Sequence, residues 1–133
     1  MPDPNLVPKL IERLISLTAE GKIEWKETAS EDDFQATVAQ HVVTISRSTN
    51  RDNWDALEYK IRVADRKGTL IDEAMPSDFD HGLLIRELRP EGRTVQHSPF
   101  EAFVRLYDSA RRSARNVDKA LTELLSSLDS LEK

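Results

Sequence analysis

Five cations crowd the C-terminal third of the chain: Arg105, Arg111, Arg112, Arg115 and Lys119, with 111, 115 and 119 spaced four apart. On a helix, residues four apart stack on one face. A row of guanidinium groups there can clamp phosphate or carboxylate oxygens, because each donates in a paired, planar fashion. Lys60 and Arg62, two apart in a segment where charged and apolar residues alternate, would add cations from one face of a strand. Arg111, Arg112, Arg115, Lys60 and Arg62 are therefore the candidate site for a small anion or nucleotide. The competing reading is a solvated helix face, on which Glu101, Asp108 and Asp118 neutralise the row through near-neighbour pairs worth ~0.2–0.5 kcal/mol each.

Other chemistry has little to build on. His41, His81 and His97 are scattered and form no HExxH or comparable metal-ligand spacing. Asp78, Asp80 and His81 lie close together, but the glycine and terminal glutamate of a calcium loop are missing, so they read as a polar turn. Ser46 and Ser48 near His41 have no orienting acid and do not make a nucleophile and its base. There is no glycine-rich phosphate loop and no GxSxG. The chain has no cysteine, which excludes disulfides, thiolate metal sites and cysteine nucleophiles. The expectation is a non-catalytic protein with no metal and no cofactor.

Composition narrows the partners. With 133 residues, 38% hydrophobic and 32% charged, the chain is long enough for one core and too apolar for intrinsic disorder. A net charge of −5 disfavours non-specific attraction to nucleic acid or an anionic membrane. Met1 to Pro8 holds three prolines and Asp3 instead of a basic segment leading into an apolar run, and no stretch approaches the ~20 apolar residues of a membrane span. A cytoplasmic protein is expected, with neither nucleic acid nor membrane as a partner.

The elements that must position these residues follow from hydrophobic period. Leu6, Val7, Leu10, Ile11, Leu14, Ile15 and Leu17 recur three and four apart, predicting a helix over about residues 5 to 20, with Asn5 as N-cap and Gly21 closing it. Short alternating runs follow: Ile23 to Glu27 with Ile23 and Trp25 inward, Phe34 to Val38, and Val42 to Ser48 after a tight connection at Gln40 and His41. A polar loop from Ser48 to Asp55 leads to the clearest alternation, Leu57, Tyr59, Ile61 and Val63 against Glu58, Lys60 and Arg62. Asp65 to Gly68 reads as a hairpin turn and Thr69 to Asp72 as a fifth strand. Residues 77 to 88 are expected to form a short helix with Phe79, Leu83, Leu84 and Leu88 inward, the alternative being a partly ordered excursion. Ser98, Pro99, Phe100 and Glu101 make a capping box with proline at the first helical position, opening a second helix over about 99 to 130.

The fold class is thus α+β: an antiparallel β-meander of about five strands packed in two layers against an N-terminal helix and a long C-terminal helix. One domain spans 1–133, with an insertion-like segment at 74–98. On the side of the sheet turned from the helices, Thr37, Thr44, Ser46, Lys60 and Arg62 face water or a partner; that face has no aromatics to stack bases.

The last helix carries a heptad seam. Phe103, Tyr107, Ala110, Ala114, Val117, Leu121, Leu124, Leu128 and Leu131 alternate four and three apart. At ~1.5 Å per residue the helix would be roughly 45 Å long and would overhang its partners. Val117, Leu121, Leu124, Leu128 and Leu131 are expected to bury themselves on a second copy, since a fully buried large aliphatic side chain contributes ~1.5–3 kcal/mol. Within one chain, the first helix or the 74–97 segment would have to cover them instead.

GKIEW at 21–25, YKIRVAD at 59–65 with a glycine shortly after, and LYDSARRSARNVDKAL at 106–121 together resemble a pattern found in small uncharacterised bacterial proteins, which implies a bacterial or phage source. The resemblance implies a helix, meander, helix layout and carries no catalytic residue. The expected function is a protein-interaction module, homodimeric through its C-terminal helix and open to a protein partner. The alternative is a small-anion or nucleotide-binding protein using the arginine row, and the third reading is an enzyme of unknown class.

Overall fold

A computed structural model describes residues 6–49, 57–80, 82–89 and 91–132. The N-cap expected at Asn5 lies outside the described residues. The first helix, α1 (Leu6–Ala19), turns Ile11, Leu14 and Ile15 into the core and holds Pro8 within its first turn, where the missing N–H costs nothing. Gly21, at φ +75, closes it: the Gly21 N–H donates to the Thr18 carbonyl at 3.0 Å and the Lys22 N–H to that of Leu17 at 2.9 Å. This is the left-handed cap that glycine adopts without strain.

Five antiparallel strands follow in chain order: β1 (Lys26–Glu27), β2 (Asp33–Val38), β3 (His41–Thr49), β4 (Leu57–Asp65) and β5 (Leu70–Ala74). The expected meander is present. Its register aligns inward rows: Phe34 opposite Ile45 and Ile45 opposite Ile61, then Ile61 opposite Ala74, with Ala36, Val43 and Val63 in the adjacent row. Most of these side chains are buried, together with Tyr59, and the helices pack on that face. The tight connection between β2 and β3 is Ala39 and Gln40, one residue earlier than expected, and His41 begins the strand. The first strand is shorter than its alternation predicts. Trp25 is buried and Ile23 half-buried as expected, but the Trp25 N–H lies 3.3 Å from Ser113 Oγ of the next long helix, so this backbone meets a helix before it reaches the sheet. The Trp25 indole N–H donates to Thr18 Oγ1 at 2.9 Å, tying the segment to α1.

The helix expected over 77 to 88 is not formed. A single 3-10 turn (Pro76–Asp78) is followed by a two-stranded hairpin, β6 (Ile85–Leu88) and β7 (Thr94–His97), which packs against both helices. Of the residues expected inward, Phe79 and Leu83 are half-buried while Leu84 and Leu88 are exposed; Ile85 and Glu87 point inward instead. Period two, not period 3.6, governs this segment.

The C-terminal helix is two helices. The first, α2 (Pro99–Ala114), begins at Ser98, whose Oγ accepts the Glu101 N–H at 3.3 Å. It ends at Arg115, and Asn116 adopts a left-handed conformation (φ 50, ψ 46) before α3 (Val117–Leu131). Asparagine tolerates that conformation better than most residues. The expected single helix of 99 to 130 is therefore bent at 115–116. Phe103, Leu106, Tyr107 and Ala110 of α2 enter the core, whereas α3 buries none of its residues. The architecture is α+β and two-layered, one sheet against a helix pair, with the small hairpin seated on the helices. Among the described residues, no helix is long and apolar enough to cross a membrane.

Candidate functional site

One stripe of α2, running Phe100, Val104, Tyr107 and Asp108, Arg111, Arg115, looks across at Arg47 and Tyr59, which stand opposite each other on β3 and β4. Arg47 continues the inward alternation of Val43 and Ile45, so its chain lies on the helix side of the sheet. Together with Glu101 and Arg105 these residues line an open cleft of about 590 Å³. Its floor is aromatic. Tyr107 meets Phe34 and Tyr59 edge to face, at 5.5 and 5.6 Å between ring centres, and Tyr59 meets Phe100 at 5.6 Å. The Arg47 guanidinium sits 4.7 Å from the Tyr107 ring centre and that of Arg115 lies 5.3 Å from Phe34, both within cation–π range.

Burial raises the Tyr107 hydroxyl above its ordinary value of 10, the nearby Arg47 charge pulling the other way without cancelling it. The hydroxyl is a neutral donor at physiological pH. Each cleft arginine has a carboxylate nearby. Arg111 donates to Asp108 at 3.0 Å; Arg115 donates to Glu27 at 3.1 Å and to the Glu31 carbonyl at 3.1 Å; Arg47 stands 3.6 Å from Asp32.

The residues proposed from sequence are thereby divided among three places. Arg111 and Arg115 meet in the cleft. Arg112, one residue on, is turned into a separate polar groove between α2 and the end of α1, where it pairs with Asp118. Lys60 and Arg62 point to the opposite face of the sheet, because they alternate with Tyr59 and Ile61; Arg62 is paired there with Glu73 at 3.3 Å. The bend at Asn116 also removes Lys119 from the row, and it lines the same groove as Arg112. The neutralising pairs anticipated for Asp108 and Asp118 are formed, while the Glu101 carboxylate lies instead 3.9 Å from His97 Nδ1. Arg47, Tyr59, Phe100 and Tyr107 were not singled out from sequence as site residues. The signal for Arg47 was available, since a charged residue occupied an inward position of an alternating strand.

No protein-family model, curated protein or solved structure matches the chain.

A second charged cluster holds the β6–β7 hairpin to α2. Glu87 is only 1% exposed. It accepts from Arg105 Nε at 3.0 Å and Nη2 at 3.3 Å, and His97 Nε2 lies 2.9 Å from its Oε1. An ionised carboxylate only accepts, so that nitrogen carries the proton. Arg89 Nε is 3.3 Å from Glu87 Oε2 but off the line of a hydrogen bond, leaving a charge contact. Burial by itself would raise the Glu87 pKa; the hydrogen bonds from Arg105 and His97 and the charges of Arg105 and Arg89 outweigh it and hold the carboxyl below 4.5. The cluster lies under the hairpin and its geometry is that of a clamp. Among the described residues, no group of three or more His, Asp or Glu is arranged to hold a metal ion; Asp78 accepts from the Met75 N–H at 2.7 Å, and His81 lies outside those residues.

The third feature is α3. Leu121, Leu124, Leu125, Leu128 and Leu131 are all exposed, Leu124 at 55% and Leu128 at 47%, and Val117 is half-buried. Neither α1 nor the 74–97 segment buries them. The heptad seam that is continuous in sequence divides at Asn116: its first half serves this chain's own core and its second half is left uncovered.

Proposed function

We propose that the protein is an interaction module that pairs with a second copy of itself through α3. The observation that carries this reading is that α3 buries none of its residues while its leucines form one apolar seam. A second copy suits the seam better than an unrelated surface. Val117, Leu121, Leu124, Leu128 and Leu131 are spaced four, three, four and three apart, the repeat that meshes with an identical repeat. The positions flanking it are Asp118, Ala120, Leu125, Ser127 and Glu132; in a parallel pair Ala120 faces Leu125 and Ser127 faces Glu132, so no like charges oppose each other. A two-fold pair would also present two outer sheet faces, each bearing Thr37, Thr44, Ser46, Lys60 and Arg62, to a protein partner.

Molar mass by light scattering over a wide concentration range tests the pairing. The expected mass is twice the 15.2 kDa of the chain at high concentration. A double substitution, Leu124→Glu with Leu128→Glu, should return it to 15.2 kDa at every concentration while leaving the far-ultraviolet circular dichroism of the sheet intact, since neither leucine belongs to the core. A native chain of 15.2 kDa throughout overturns the reading.

A further inference from the structure

We propose that the cleft between α2 and the β3–β4 pair binds a small anion carrying a planar ring, of about the size of a nucleoside monophosphate. The inference is independent of pairing through α3, because the cleft is lined by β3, β4, α2 and its C-cap Arg115, with no residue of α3.

The cleft is amphipathic along its length. At one end, Phe100 and Val104 offer apolar and aromatic surface over the buried Tyr59, and Phe100 is left half in solvent although it is the kind of side chain that burial favours. Toward the other end the lining is cationic, with Arg47, Arg111 and Arg115. The seven steps from Val104 to Arg111 span about 10 Å of helix at ~1.5 Å each, which sets the scale of the distance between ring and anion. A base edge or face against the exposed side of Phe100 repeats the contact that ring already makes with Tyr59 on its other side. Tyr107, whose hydroxyl is neutral at physiological pH, forms the cleft wall between the two ends.

The arginines are oriented but not used up. Arg111 gives one N–H to Asp108 and Arg115 gives two, to Glu27 and to the Glu31 carbonyl, out of five N–H donors on each guanidinium. Asp108 and Glu27 are about half exposed, so their hold is weak and screened. The same carboxylates limit the charge the site accepts. Of the four arginines that line the cleft, Arg105 is bound to Glu87 and Arg47, Arg111 and Arg115 each face one carboxylate, so little positive charge is left over, which opposes a triphosphate more than a singly phosphorylated anion. The 590 Å³ of the cleft falls within the range of small-molecule sites.

The test is calorimetric titration of the full chain with AMP, adenosine, inorganic phosphate and ATP. AMP is expected to bind at least about tenfold more tightly than adenosine or inorganic phosphate, and no more weakly than ATP. Arg111→Gln should lower AMP affinity about tenfold or more, and Phe100→Ala should lower it while leaving inorganic phosphate unchanged, each with the melting temperature of the free protein preserved. Glu substitutions at Leu124 and Leu128 should leave AMP binding intact, which separates this site from the pairing surface. No binding of AMP at millimolar concentration overturns the proposal, as does equal binding of inorganic phosphate. Tighter binding of ATP, the signature of charge attraction alone, overturns it too, as does undiminished AMP binding in both variants.

Discussion

Gly68 and Ala39 sit at the tips of two hairpins, β4–β5 and β2–β3, with positive φ, +88 and 55. For Gly68 nothing lies within 4 Å of where a Cβ would stand, so any penalty for alanine there is conformational and not steric crowding by neighbours. The turn around it is otherwise well made, with the Asp65 carboxylate accepting from the Lys67 and Thr69 N–H groups at 2.9 Å each. Gly68→Ala is expected to cost about 1–2 kcal/mol, the strain of a left-handed L-residue. Ala39 already bears that strain. Ala39→Gly should stabilise the fold by about 0.5–1 kcal/mol, the relief being partly offset by the greater backbone freedom that glycine loses on folding. Urea unfolding of the two variants, read as midpoints at constant slope, checks both signs; equal and opposite behaviour to that stated would mean the turns are not held as described.

At the scale of elements, the β6–β7 hairpin depends on a buried charge. Glu87 is held ionised below its ordinary range by Arg105, His97 and Arg89, so the sign of its pH dependence is set. A carboxylate whose folded pKa is depressed contributes stability that is fully present above 4.5 and is lost as pH falls through the lower, folded value. Melting temperatures measured from pH 7 down to 3 should therefore show a loss below pH 4.5 that is smaller in Glu87→Gln. The variant should also be less stable at neutral pH by about 1–3 kcal/mol, because Arg105 and Arg89, each about a third exposed and so partly hydrated, would lose their charged partner. The same residue explains why the hairpin was illegible in the sequence. Leu83, Leu84 and Leu88 imitate a helical face, while the true inward pair is Ile85 and Glu87, and a charged residue at an inward position hides period two. Its partners Arg105 and His97 lie ten or more residues away and are brought in only by folding. The meander, by contrast, was legible because β2, β3 and β4 alternate with apolar residues inward. Half of the cleft was legible for the same kind of reason: spacing on one helix links Arg111 with Arg115, but pairing with Arg47 and Tyr59 needs the strand register and the packing of α2 on the sheet. The bend at Asn116 had no glycine or proline to announce it.

For the whole molecule, the bend divides the chain into a part that makes the core and a part that does not. Every residue of the core cluster precedes Asn116, and α3 buries none. A chain ending at residue 116 should therefore keep the sheet, α1, α2 and the hairpin. Its far-ultraviolet spectrum should lose helix only in proportion to the 15 residues of α3. The effect on stability separates two roles for that helix. If α3 acts by pairing, the full chain melts higher as concentration rises, because association adds stability by mass action, and the truncated chain melts at one temperature regardless of concentration. The two curves should converge at the lowest concentrations, where the full chain is dissociated. A truncated chain that fails to fold, or that melts far below the dissociated full chain, would mean that α3 supports the core through α2 and that its exposed leucines are not a pairing surface.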